Sequence, residues 1–191
     1  LAPQPVRVIT PLTLVTSSAP SDPVPLHGRF EISAQLTTAA LNPFDPDQLR
    51  VDAIFTSPSG RRLTCPGFVF ALAAEPGGAD EWRVRFSPDE PGSWTWTLVA
   101  QAAADEVVTK PASWTCADSG DPGPIRVSKA DPLCFEHANG AFFYPIGHNV
   151  CWNSIEQYRD QFAKMGAAGE NWSRIWLAPW NCDIEWSRKG G

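Results

Sequence analysis

The chain has 191 residues, enough for one good core or for a sandwich of about 100 residues followed by something incomplete. Lys and Arg number 15 against 21 Asp and Glu, giving a formal net charge of -6 with no basic run, which argues against nucleic acid or an anionic membrane and for a neutral partner. No apolar run approaches the ~20 residues needed to span a bilayer.

The N-terminus, Leu1-Ala2-Pro3-Gln4, has neither an initiator Met nor the basic region of a signal peptide. It therefore reads as trimmed or incomplete, and an absent signal says little about secretion. Nine Trp beside one Met and two Tyr is a heavy indole load. Indole faces stack well on the apolar faces of sugar rings, although core and turn packing accounts for most such residues. The five cysteines, Cys65, Cys116, Cys134, Cys151 and Cys182, are an odd number without a CxxC zinc spacing. At least one thiol is then free or paired outside the chain, and neither metal nor cofactor is expected.

In chain order, the first 120 residues alternate short β-like runs with turn residues. Arg29–Leu36, Val51–Phe55, Trp82–Phe86 and Trp94–Leu98 carry a two-residue apolar period, so each buries one face. Asn42-Pro43, Ser57-Pro58-Ser59-Gly60, Glu75-Pro76-Gly77-Gly78 and Asp89-Glu90-Pro91-Gly92 punctuate them. Such strands and turns predict an antiparallel β-sandwich of immunoglobulin-like layout, without the Cys, Trp, Cys spacing of antibody domains. By parity Trp82, Val84 and Phe86 share one face and Arg83 and Arg85 the other, so Trp82 is predicted as core. Trp94 and Trp96 share a face and are also predicted to be buried.

Asp118-Ser119-Gly120-Asp121-Pro122-Gly123-Pro124 reads as a linker, and its acidic residues do not meet the EF-hand pattern. The predicted domains are a sandwich over 1–118, a linker over 119–126 and a second module over 127–191. In that module Leu133–His137 and Ala141–Tyr144 flank Asn139-Gly140, a dipeptide suited to two positive-φ hairpin positions. The second arm is predicted to continue through Pro145-Ile146-Gly147 as the first strand of a parallel barrel. Ser154 with Gln157 forms a capping-box pattern, and Ile155, Tyr158, Phe162 and Met165 follow at helical spacing until Gly169. A second strand is predicted over Asn171–Leu177, with Arg174 on the face of Trp172 and Trp176.

The whole is thus a mainly β chain: an N-terminal immunoglobulin-like antiparallel β-sandwich, then the first β-hairpin and βαβ unit of an incomplete TIM (β/α)8 barrel. A complete barrel takes about 250 residues and eight such units.

The order of immunoglobulin-like strands, Pro91-Gly92-Ser93-Trp94, the linker, Phe135-Glu136, Asn139-Gly140, Phe142–Asn149 and Asn171–Trp176 resembles bacterial glycoside hydrolases with an N-terminal DUF5060 sandwich and a cellulase-like (β/α)8 barrel. The resemblance implies an N-terminal fragment of an enzyme acting on the O-glycosyl bonds of a polysaccharide, secreted or periplasmic, with a carbohydrate substrate. Its second module would pack against the remainder of the barrel. Substrate-binding candidates follow from barrel geometry, in which sites lie at strand C-termini: His148, Asn149 and Trp152 after the first strand, Trp180 after the second.

Arg174 matches the clan's second-strand arginine, which would hold a nucleophilic carboxylate ionised; the competing role is tying the strand to a neighbouring backbone. His148 is equally readable as a structural donor, and the tryptophans as packing. The clan's two catalytic carboxylates come from the fourth and seventh strands, so no catalytic residue is assigned; Glu170 and Glu185 match neither position. The fragment is expected to be inactive alone.

Three further signals are weaker. Asn171-Trp172-Ser173 fits the N-glycosylation pattern, but a strand covered by helices cannot display a glycan. His148, Cys151 and Cys182 lack a fourth metal ligand and the usual spacing. Cys151 and Cys182 are placed for a disulfide if the two strands are adjacent and parallel. The sandwich alone is readable in two other ways, as a carbohydrate-binding module or as a structural spacer.

Overall fold

The computed structural model describes residues 11–21, 23–40, 42–75, 77–103, 105–176 and 181. The chain divides into two compact units, Leu1–Gly123 and Pro124–Gly191. It is mainly β, and its sheets are antiparallel apart from two pairings given below.

The first unit holds β1 (Thr13–Ser18), β2 (Val24–Pro25), β3 (Phe30–Thr37), β4 (Arg50–Thr56), β5 (Arg62–Pro66), β6 (Phe68–Ala71), β7 (Asp80–Phe86), β8 (Gly92–Ala102), β9 (Asp105–Val108) and β10 (Ala112–Ala117). One sheet runs β1-β3-β7-β6 and the other β2-β10-β8-β4-β5, with β9 on β8; β2 and β10 pair in parallel. Strict alternation explains the arrangement. Phe30, Ile32, Ala34 and Leu36 of β3 are buried, facing Trp82, Val84 and Phe86 of β7, while Leu98, Trp96 and Trp94 of β8 cover them from the other sheet.

The centre of this core is aromatic. Phe30 stacks on Trp114 at 4.2 Å and Phe55 on Phe86 at 4.1 Å, joining side chains of opposite sheets. Burying each such ring contributes about 1.5–3 kcal/mol. Trp82, Trp94 and Trp96 are buried as their parity requires. Trp114, on a strand that the sequence pattern did not single out, completes the cluster.

The outer face of the first sheet is charged. Glu31 accepts from Arg83 at 3.0 Å and Arg85 at 2.6 Å, whose guanidinium groups lie over Phe70 and Phe68. The Arg85 hydrogen bond, outweighing desolvation, holds the Glu31 carboxyl below its usual value.

At Gly67 the chain passes from the edge of one sheet to the edge of the other. Its N–H donates to the Val51 carbonyl at 2.7 Å, and a Cβ would sit 3.0 Å from that oxygen.

The second unit holds β11 (Ile125–Val127), β12 (Phe135–His137), β13 (Phe142–Phe143), β14 (Gly147–Asn149), α1 (Ile155–Ala167) and β15 (Trp172–Arg174). Regular structure therefore begins at Ile125, inside the segment predicted as linker. β11, β12 and β13 form an antiparallel sheet, whereas β14 and β15 pair in parallel, joined by α1.

Two expectations need correction here. The hairpin between β12 and β13 has a loop over 138–140, closed by the His137 N–H bond to the Ala141 carbonyl, in which Gly140 alone adopts positive φ, +88°, and Gly140 N–H donates to the His137 carbonyl. That is a turn followed by a left-handed residue, not a two-residue turn with Asn139 also left-handed. Nor does the hairpin arm continue as the first parallel strand, for the chain breaks at Tyr144–Ile146 and changes sheet. His148 and Asn149 consequently lie within β14 and not beyond it.

The helix forms as its sequence dictates. Ser154 Oγ accepts from Gln157 N–H, Gln157 Oε1 accepts from Ser154 N–H at 2.8 Å, and Gly169 follows the cap at φ +85°. Tyr158 and Met165 pack with Val150 and the partly buried Ile175.

Candidate functional site

The site is built on the two parallel strands. Gly147 pairs with Trp172, His148 with Ser173 and Asn149 with Arg174. Any side chain at Gly147 would fall on the Trp172 carbonyl oxygen, so only glycine permits this approach. Asn171 fastens the entry to β14: its Nδ2 donates to the Tyr144 carbonyl at 3.0 Å and its Oδ1 accepts from Ile146 N–H at 2.8 Å. Asn171 is exposed, unlike a strand residue covered by helices, and its amide is committed to these two bonds.

Beside β14 lies a recess of about 490 Å³ whose walls include His148, Asn149, Cys151, Asn153, Gln161 and Glu170. His148 Nδ1 stands 2.8 Å from Glu170 Oε2. The carboxylate accepts at Nδ1, which orients the ring and leaves Nε2 for a second partner. Across the recess Asn153 Nδ2 donates to Gln161 Oε1 at 3.0 Å. Amide, imidazole and carboxylate groups around an open cavity are equipped to bind hydroxyls.

Of the sequence-predicted residues, His148 and Asn149 border this recess together. Trp152 and Arg174 are not among its walls. Trp152 adopts a left-handed backbone, φ 62°, and its exposed ring meets Trp176 edge-on at 5.9 Å. Arg174 sits at the end of β15, opposite Asn149, and its carbonyl accepts from Val150 N–H at 3.0 Å. Trp180, together with Cys182 and Glu185, lies outside the described residues.

Glu170, weighed in the sequence as a catalytic carboxylate and left unassigned, is a residue whose partner, His148, the sequence did not show. Its only signal is its place two residues before the partner of Gly147, which is visible once the parallel register is known. Asn181 is a second: buried at 2 % exposure, it exchanges hydrogen bonds with the Tyr158 hydroxyl and donates to the Trp176 carbonyl, tying the chain after β15 to α1.

Among the described residues Glu170 is the one carboxylate lining the recess, whereas retaining glycoside hydrolysis takes two carboxyl groups about 5–5.5 Å apart. No group of three or more His, Cys, Asp or Glu that could hold a metal occurs among the described residues. Cys65, Cys116, Cys134 and Cys151 carry free thiols, and burial pushes those of Cys65 and Cys116 up.

No curated protein matches the sequence. Among solved structures, the fold is similar to the crystal structure of a "putative glycoside hydrolase" from Bacteroides vulgatus ATCC 8482, with a TM-score of 0.58 and 22% sequence identity over 81% of this chain. The similarity spans 28% of that protein's chain. Residues 23–101, from β2 to all but the last residue of β8, match the family model DUF5060, a domain of unknown function.

Proposed function

We propose that this sequence is the N-terminal part of a glycoside hydrolase acting on the O-glycosyl bonds of a polysaccharide. In this reading the first unit is an immunoglobulin-like β-sandwich serving as an accessory domain. The second is the opening hairpin and βαβ step of a cellulase-like (β/α)8 barrel, packing against further barrel strands. The observation that carries the reading is the parallel β14–α1–β15 unit, with Arg174 closing the second strand beside Asn149 at the end of the first. The DUF5060 match and the fold likeness support it.

His148, Asn149 and Trp152 then belong to the sugar-binding rim, with Arg174 positioned to orient a carboxylate from a later strand. Trp180 is proposed for the same rim from its place in the sequence. A secreted or periplasmic location suits a polysaccharide substrate, and no helix among the described residues is long and apolar enough to cross a membrane.

The 191-residue chain, incubated with a panel of plant and bacterial polysaccharides, is expected to release no reducing sugar. The longer gene product that carries it should hydrolyse at least one of them, and Arg174→Lys there should reduce kcat/KM about 100-fold. An inactive long product, or one indifferent to Arg174→Lys, contradicts the proposal.

A second reading has the first unit as an accessory module without catalytic activity, either structural or carbohydrate-binding. The burial of Trp82, Trp94, Trp96 and Trp114 favours its structural form, since these indoles are spent on the core and present no aromatic strip to a glycan.

A further inference from the structure

The first unit has a recess of its own, about 420 Å³, where the loop between β3 and β4 meets the Gly67 turn. Its floor is apolar, formed by the buried side chains of Leu49, Val51 and Trp82, and its rim carries the exposed residues Phe44, Asp47 and Arg50. We propose that this patch is an interface between two copies of the chain. About a two-fold axis, the Phe44 ring of each copy enters the recess of the other. The inference goes beyond the hydrolase reading and rests on the first unit alone.

The first argument is a projecting ring on a fixed frame. Asn42 Oδ1 accepts from Phe44 N–H at 3.1 Å, Asp45 Oδ1 from Asp47 N–H at 3.0 Å, and Asp45 Oδ2 from Gln48 Nε2 at 3.0 Å. Gln48 Oε1 in turn accepts from Asn42 N–H at 3.2 Å, and Pro43 and Pro46 fix φ on either side of Phe44. The loop's polar groups are thus turned on the loop itself, and Phe44 is left 65% exposed. An aromatic anchor that is already ordered loses little freedom on docking.

The second argument is that knob and hole lie side by side. An isologous interface uses the same patch on both partners, so the patch must hold both halves of each contact. The floor selects what enters: it presents hydrocarbon, and the Val51 carbonyl beneath it is taken by Gly67 N–H. A small polar ligand would leave its own hydrogen-bonding groups unmet there, whereas a phenyl ring would not.

The third argument is charge. Arg50 gives Asp52 its Nε, at 2.6 Å, and its terminal nitrogens have no acceptor among the described residues. The Asp47 carboxylate, three residues away, likewise accepts no hydrogen bond among the described residues and does not pair with Arg50. Across a two-fold axis Asp47 of each copy meets Arg50 of the other, so one sequence supplies both signs twice. A purely acidic or purely basic partner answers only one of them.

The test is sedimentation of the whole 191-residue chain at concentrations up to about 1 mM, a range suited to a small, weak interface. A monomer–dimer equilibrium is expected, and Phe44→Ala, an exposed change, should weaken it at least about tenfold. Asp47→Lys and Arg50→Glu should each weaken it as well, because each homodimer then sets like charges together. An equimolar mixture of those two variants should restore the dimer, since both cross-contacts become opposite in sign, and restoration also shows that both variants are folded. The inference is overturned if the parent chain stays monomeric over the whole range. It is equally overturned if Phe44→Ala leaves a dimer intact, as association through the second unit would, or if the mixture associates no better than its components. Because hydrolysis is not read, failure here leaves the hydrolase proposal standing, and failure of that proposal leaves this one.

Discussion

Glu136 shows how much a single side chain can organise in a small sheet. It is 8% exposed, yet both oxygens are occupied: Arg126 donates to Oε1 and Ser128 Oγ to Oε2, each at 2.9 Å. The Ser128 bond, ahead of the opposing desolvation and aided by Arg126, keeps the carboxyl below the ordinary glutamate value of 4.5. A depressed folded value means that its stabilisation is complete above the unfolded value and is lost as pH falls through the folded one. Amide protection of β11 and β12 should therefore decline only in strong acid, below 4.5, and Glu136→Gln should flatten that decline. A protection profile that is identical in the variant would remove this role from Glu136.

Gly147 makes a second demand at the same scale. Because a Cβ would strike the Trp172 backbone and not a movable side chain, Gly147→Ala must separate β14 from β15. The His148–Glu170 pair depends on that register, so the His148 ring resonances should lose their coupling to Glu170 in the variant. Retention of the parent spectrum would show that the strands accommodate the methyl group.

At the scale of elements, local signals were legible and partner choice was not. The helix could be read residue by residue because its capping box, apolar spacing and terminal glycine all act within one turn of their targets. Ser154→Ala should accordingly destabilise the second unit by about 0.5–2 kcal/mol in urea titrations followed at Tyr158. A change below a few tenths would mean that packing alone holds α1.

The break between β13 and β14 was hidden in a continuous apolar run. Pro145 has no N–H for a ladder, and the Tyr144 carbonyl and Ile146 N–H are taken by the distant Asn171 side chain. That long-range bond decides where one sheet ends, and no local pattern announces it. The parity of β3, β7 and β8 was readable for the opposite reason, since a two-residue period buries one face whichever strand is the neighbour. The short strands β2, β9 and β11 carry too few residues to show a period at all.

At the scale of the molecule, the two units differ in how much apolar surface each removes from water. The first buries a continuous cluster from Leu12 to Cys116, including four indoles, whereas the main cluster of the second is Val150, Tyr158 and Met165 with Ile175 beside it. Leu133, Phe142, Tyr144, Ile146, Trp152 and Trp172 of the second unit are exposed. Apolar surface of that kind belongs against a partner, as parallel strands are normally covered on both faces. Sub-global opening should thus be far cheaper in the second unit than in the first, because opening free energy follows buried apolar contact. Limited proteolysis of the 191-residue chain should then cut first beyond Asp121 and leave a resistant fragment containing β1 to β10, which mass spectrometry would identify. Equal resistance along both units would mean that the exposed aromatics are covered by something other than further strands, a second copy of the chain being the first candidate to test by sedimentation.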